Sequence, residues 1–179
     1  MFACPRNKAG WIENHLSNFD QQKEIADVVL YGDSIIKNFG NSWKKLFGKN
    51  CINFGFGGDR VENVLYRLLN GRIPIHIKIV IVHVGTNNLS SHHAIPQKIA
   101  DGIHQICKTI NIFRADVDII VTGILPGKGR DLNKVCKVNQ HLRRILIGNK
   151  FRTFYIPPNI QEWIMENNQP NPDLYGSDL

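Results

Sequence analysis

Apolar positions along the chain alternate between two periods. "ADVVLY" (26–31), "CINF" (51–54), "IKIVIVHV" (77–84), "DVDIIVTGI" (116–124) and "RTFYI" (152–156) are short runs rich in Val, Ile and Phe, mostly apolar on both faces. That is the signature of strands covered from two sides. Between them the apolar residues fall at steps of three and four: Val61, Val64, Leu65, Leu68 and Leu69; then Ile95, Ile99, Ile103, Ile106, Ile110 and Phe113; then Leu132, Val135, Val138, Leu142 and Ile145. Each set makes one stripe on a helix that can cover a sheet face. Strands and helices alternating at these lengths predict right-handed crossovers. The expected fold is α/β: a three-layer α/β/α sandwich around a five-stranded parallel sheet, flavodoxin-like in outline.

In such a sheet ligands bind beyond the carboxyl ends of the strands. The segments to inspect are therefore Gly32-Asp33-Ser34, Gly55 to Asp59, Gly85 to Asn88, Gly123 to Gly129 and the tail after Ile156. "GWIENHLSNF" reads as a leading helix packed on the outside, with Trp11 as its anchor. The densest Asn/Pro stretch, "ENNQPNPDLYGSD", reads as a loop. No internal repeat or linker divides the chain, and 179 residues suit one domain with a real core.

Composition narrows the class. With 42% hydrophobic and 21% charged residues the chain reads as a soluble globule. No run of eighteen apolar residues predicts a membrane span, and "MFACPRNKAGWIENH" lacks the apolar core of a signal peptide. The four cysteines, Cys4, Cys51, Cys107 and Cys136, show no C-x-x-C spacing, and buried reduced thiols in a cytoplasmic protein are the expectation. Net charge is +7, and from Asn159 onward there are four acids and no Lys or Arg. Between Lys128 and Arg152 eight basic residues accompany one acid, Asp131, a surface suited to anionic partners.

The candidate chemistry begins at Ser34. A serine between a strand and a helix is a favoured N-cap, and it is also where a nucleophile would stand. Neighbouring strand ends add to the second reading. "NFGFGGDRVENV" brings Gly55, Gly57 and Gly58, which let backbone N–H groups approach a ligand; "VHVGTNNL" brings the side-chain amides of Asn87 and Asn88. A hydroxyl with two or three converging donors is what acyl-ester hydrolysis needs, because the donors meet the oxyanion of the tetrahedral intermediate. "GFGG" also reads as a tight turn, and its spacing does not fit a dinucleotide loop. "GTNN" also reads as a loop with a left-handed Asn.

"YGDS" (31–34), "NFGFGGDRVENVLYRL" (53–68) and "VHVGTNNL" (82–89) resemble, in order and spacing, the first three blocks of the SGNH (GDSL-type) hydrolases, in particular the catalytic subunits of the intracellular platelet-activating-factor acetylhydrolases. The likeness extends to the Trp11/His15 segment, to "GILPGKGRDLNKVCKVNQHL" (123–142) and to the closing "DLYGSDL". It implies the SGNH hydrolase fold, an acyl-serine mechanism on small acetyl-like esters, and no metal or organic cofactor. Ser34 would be the nucleophile and its N–H the first oxyanion donor. Gly58 would give the second donor through its N–H and Asn87 the third through its amide. Asp33 would shape the turn.

The match departs from the family at the end. The family closes its triad with D-x-x-H, and "YGSDL" looks like its start, with Asp178 as the triad acid. The histidine would sit two residues past Leu179, so the domain over 1–179 is expected to lack its last helix and its general base, and to be impaired as an esterase. His83, just before "GTNN", is the candidate substitute; His92 and His93 read as loop residues, and His15, His76, His104 and His141 as surface residues. The alternative is a catalytically idle, retroelement-derived module on the same fold that binds nucleic acid or a protein partner. Lys134, Lys137, His141 and Arg144 would form its basic face, opposite the stripe of Leu132, Val135, Val138 and Leu142. Homo- or heterodimerisation is implied by the resemblance alone.

Overall fold

The five apolar runs form five parallel strands: β1 (Val28–Gly32), β2 (Cys51–Gly55), β3 (Ile79–His83), β4 (Asp118–Thr122) and β5 (Thr153–Ile156), side by side in the order β2-β1-β3-β4-β5. The computed structural model describes residues 2–21, 25–40, 42–48, 50–71, 73–74, 76–91, 93–127, 129–148 and 150–163. The helices are α1 (Trp11–Gln21), α2 (Ser34–Asn38), α3 (Ser42–Phe47), α4 (Val61–Leu69), α5 (Thr86–Leu89), α6 (Pro96–Phe113), α7 (Leu132–Ile147) and α8 (Ile160–Trp163).

The chain steps from β1 to β2 in one direction and from β2 through β3, β4 and β5 in the other. Right-handed crossovers therefore put α2 and α3 on one face and α4, α6 and α7 on the opposite one. The alternation within each strand agrees. Val29, Tyr31, Ile52, Phe54, Val80, Val82, Ile119 and Val121 join α4, α6 and α7 in the larger core. Val28, Leu30, Cys51 and Ile81 pack with Ile36 of α2 and Trp43 of α3 in a smaller one. Every residue of β1 is buried, which explains the unbroken apolar run of this interior strand. Phe154 and Ile156 of the edge strand remain about half exposed on the face of the smaller core.

Several sequence expectations need correction. Cys51 and Cys107 are buried, but Cys4 and Cys136 are exposed; Cys136 lies next to the buried Val135, one step off the helix's apolar stripe. All four are free thiols. His15 is not a surface residue: it is 3% exposed and stacked on Trp11, with ring centroids 5.8 Å apart. Burial, with Arg67 nearby, holds its pKa below the usual value. His104 is half-buried against Phe151.

Candidate active site

The direction reversal in strand order falls between β1 and β3, the switch point where open α/β sheets bind ligands. Ser34 opens α2 just after β1 and Asn87 lies in the short α5 just after β3, while the loop after β2, on the other side of β1, carries Gly58. Each piece has a visible local cause.

Asp33, not Ser34, is the N-cap of α2. Its backbone is extended, and its Oδ1 accepts a hydrogen bond from the Ile35 N–H at 2.9 Å. Ser34 is the first helical residue, so its hydroxyl is spared the capping role. The sequence left cap and nucleophile open as readings of Ser34; Asp33 does the capping. Asp33 is fully buried, and that burial pushes its pKa up to about 6, opposed by the Ile35 N–H, the Thr86 hydroxyl and Arg130. The Thr86 hydroxyl lies near Asp33 but not in hydrogen-bond geometry with its Oδ2, and among the described residues neither group has another partner.

Close backbone packing holds Ser34 in place. A Cβ on Gly32 would overlap the carbonyl oxygen of His83, and one on Gly55 would overlap the backbone of Ile36 and Lys37. Only glycine lets β1 approach β3, and β2 approach α2, so closely. The Phe56 N–H donates to the Gly32 carbonyl at 3.0 Å, tying the β2–α4 loop to the end of β1.

Gly58 lies in that loop at φ +79°, a conformation that disfavours any side chain. Asn87 Nδ2 donates to the Asp59 carbonyl at 2.8 Å, so the third strand end is bonded to the second. The adjacent Asn88 faces α4: its Oδ1 accepts from the Val61 N–H at 3.0 Å, and its Nδ2 donates to Glu62 Oε2 at 2.8 Å. Of the two amides, Asn88 thus braces the start of α4, and Asn87, also in α5, borders the same cavity as Gly58.

Beneath the loops sits a buried ion pair that the sequence did not reveal. Arg67 Nη2 lies 2.9 Å from Asp59 Oδ2, with both side chains at 3% exposure or less. Arg67 Nε also donates to Asp59 Oδ2, Nη1 donates to the Phe54 carbonyl at 2.9 Å, and Nη2 donates to the Gly32 carbonyl at 3.2 Å. Its guanidinium stacks 4.2 Å over the Phe56 ring. The other Asp59 oxygen accepts from the Trp11 indole at 2.7 Å, so Trp11 anchors α1 to the site loop as well as to the core. Burial raises the Asp59 pKa and lowers that of Arg67, each opposed by the other's charge. The only hint in the sequence was an arginine inside an apolar helical stretch, and nothing at eight-residue spacing pairs it with an acid.

His83 ends β3, as its position predicts. Its Nδ1 lies 2.7 Å from Thr122 Oγ1, and its Nε2 is buried without a partner among the described residues. Burial, with Arg130 nearby, holds its pKa down at about 4. It is neutral at physiological pH and a weak base. It borders an apolar trough of about 430 Å³, with Ile35, Phe39, Ile120 and Ile156 among its walls. Among the described residues no cluster of His, Cys, Asp and Glu could hold a metal ion, and no helix is long and apolar enough to cross a membrane. Asp178 and His92 lie outside the described residues.

No protein-family model matches the chain. Over 143 residues it is 37% identical to platelet-activating factor acetylhydrolase IB subunit alpha2 of Homo sapiens, covering 74% of this chain and 60% of that one. Against subunit alpha1 of Rattus norvegicus it is 36% identical over 137 residues, covering 72% and 57%. The chain thus spans about three fifths of the curated relatives it matches. Among solved structures, a GDSL-like lipase from Bacteroides thetaiotaomicron superposes with a TM-score of 0.69 at 18% identity, over 89% of this chain and 84% of that one. The SGNH-hydrolase family esterase AlinE4 superposes at 0.64 and 17% identity, over 87% and 85%. The fold is that of this esterase class, and the chain belongs to the SGNH (GDSL-type) hydrolase family. Among its relatives are the platelet-activating factor acetylhydrolase IB subunits.

Proposed function

We propose that the protein is a serine acylhydrolase acting on small acyl esters, with Ser34 as nucleophile. The observation that carries this reading is the division of labour after β1: Asp33 caps α2 and leaves the Ser34 hydroxyl uncommitted to the helix. The Ser34 and Gly58 N–H groups and Asn87 Nδ2 are the proposed oxyanion donors. They come from three adjacent strand ends locked to one another by the Phe56, Asn87 and Arg67 hydrogen bonds.

In the proposed reaction the Ser34 oxygen attacks the ester carbonyl and the three donors take up the negative charge. Collapse expels the alcohol, and water then releases the acyl group from Ser34. A base must remove the hydroxyl proton and return it to the leaving alcohol. Asp178 is the proposed acid partner of that base, yet no histidine follows His141 in the 179 residues. His83 is a poor substitute, because its ring is engaged by Thr122 and its basicity is depressed. Turnover by residues 1–179 alone is therefore proposed to be weak. Loss of the base from a serine triad costs on the order of a millionfold in kcat, about 8 kcal/mol. Ester hydrolysis by the 179-residue chain at ordinary enzymatic rates, abolished by Ser34→Ala, would contradict that part of the proposal.

A second reading, binding of an anionic polymer such as RNA, draws on α7, where Lys137, Arg143 and Arg144 are exposed. Nucleic-acid affinity falling steeply with salt and lost on substitution of these residues would support it. No binding at low salt would remove it.

A further inference from the structure

We propose that the polar cavity beside Gly58 is a binding site for a phosphomonoester, with Arg6 and Arg60 as its anion-holding residues. The cavity has a volume of about 370 Å³, and its walls include Arg6, Arg60, Glu62, Gly58 and Asn87. It therefore adjoins two of the proposed oxyanion donors. If the esterase reading holds, the phosphate belongs to the alcohol part of the substrate; the binding itself does not depend on that reading.

Two observations support the site. First, Arg6 is fixed before any ligand arrives. Its Nη1 donates to the Gly57 carbonyl, and its guanidinium lies over Gly58, where a Cβ would overlap it. The segment that carries it is tied at both ends. The Cys4 N–H donates to the Glu62 carbonyl at 3.3 Å, Asn63 Nδ2 donates to the Cys4 carbonyl at 3.1 Å, and Trp11 is bonded to Asp59. A preorganised guanidinium loses little entropy on binding an anion, and its planar fork matches phosphate oxygens.

Second, the local charge is unbalanced. Arg6 and Arg60 stand on one side of Gly57–Gly58, and Lys8 and Lys37 border a second cavity on the other side. Against these four cations stand two carboxylates. Asp59 is buried in its pair with Arg67, and Glu62 accepts a hydrogen bond from Asn88. Among the described residues neither Arg6 nor Arg60 has a carboxylate within ion-pair distance.

From this imbalance it follows that the sign of the charge selects among phosphates. A dianionic monoester gains from every cation around the loop. A zwitterionic phosphodiester would bring its own cation against Arg6 and Arg60 and lose much of that attraction.

The test is calorimetric binding of phenyl phosphate, inorganic phosphate and glycerophosphocholine, which needs no turnover. The expected result is saturable binding of the first two, at least tenfold tighter than glycerophosphocholine. Arg6→Gln should weaken phenyl phosphate at least tenfold and Arg60→Gln by a smaller factor. Arg6→Lys, which keeps the charge, should restore part of the affinity, and Lys108→Gln at an exposed position of α6 should change nothing. Far-UV circular dichroism of each variant establishes that it is folded. Sedimentation with phosphatidylcholine vesicles doped with phosphatidic acid separates a soluble ligand from a lipid headgroup. Capture by vesicles without binding of soluble phosphate would overturn the proposal, as would a folded Arg6→Gln that binds like wild type, or equal affinity for glycerophosphocholine. Phosphate binding without acyl-serine chemistry would sink the esterase reading alone; Ser34 chemistry without phosphate binding would sink this one alone.

Discussion

Replacing Arg67 by methionine tests the bracing of the site loops most severely. Methionine fills much of the same volume without a charge. It removes the ion pair to Asp59 and the donors to the Phe54 and Gly32 carbonyls, and it strands the Asp59 carboxylate with only the Trp11 indole. Breaking one side of a buried pair typically costs about 3 to 5 kcal/mol, most of it from the charge left behind. Arg67→Met is therefore expected to lower unfolding stability by about 4 kcal/mol, read as a fall in the urea midpoint at constant m-value. Asp59→Asn in the same background removes the stranded charge, so the double variant should be more stable than the sum of the two single losses by roughly 1 to 3 kcal/mol. A cost for Arg67→Met below about 1 kcal/mol would refute the reasoning, as would simple additivity of the two substitutions.

Other outcomes follow from the same contacts. Buried Asp33, with its folded pKa near 6, contributes stability that is fully present below the unfolded value of about 3.9 and is lost as pH rises toward 6, roughly 3 kcal/mol in all. His83, held near 4, contributes stability that is present above about 6.5 and is lost as pH falls toward 4. The two slopes oppose each other, so Asp33→Asn, which keeps an N-cap side chain, should make the protein visibly more acid-sensitive between pH 6.5 and 4 in urea titrations. An unchanged pH profile would count against the assigned burial of Asp33. Gly32→Ala forces a Cβ onto the His83 carbonyl and should cost about 2 kcal/mol or more in chemical denaturation; near-neutrality would mean that the β1–β3 junction is looser than described. Asn87→Ala should slow acylation of Ser34 by roughly 100- to 1,000-fold, while loss of its bond to the Asp59 carbonyl should cost only about 1 kcal/mol of stability. A slowing below tenfold would remove Asn87 from the oxyanion site.

The sheet was legible because each strand left a short run rich in Val, Ile and Phe, most plainly β1, whose residues are all buried, and least so the edge strand β5, which leaves Phe154 and Ile156 half exposed. The helices were legible from stripes such as Ile99, Ile103, Ile106 and Ile110, all buried in the larger core. The segments that carry Ser34, Gly58 and Asn87 stood out by their residue types and their place after strands. What stayed hidden was long-range and polar. Arg67 reaches Asp59, Phe54 and Gly32, and Arg6 reaches Gly57 across fifty-one positions, distances over which no periodicity carries information. His15 looked like a surface residue because a polar ring on a helix gives no sign that a neighbouring helix will cover it. The capping role was legible in type but not in register: a one-residue shift from Ser34 to Asp33 changes what the serine hydroxyl is free to do.

The most direct test of the central claim is mass-spectrometric mapping of a fluorophosphonate adduct, with p-nitrophenyl acetate turnover measured in parallel. Both are run on residues 1–179 and on a chain continued beyond Leu179 by a segment that places a histidine three residues after Asp178. The account predicts an adduct on Ser34 in the continued chain, lost in Ser34→Ala, and turnover at least about 10,000-fold weaker in residues 1–179. An adduct on another residue, or a well-folded continued chain that is neither labelled nor active, would contradict it.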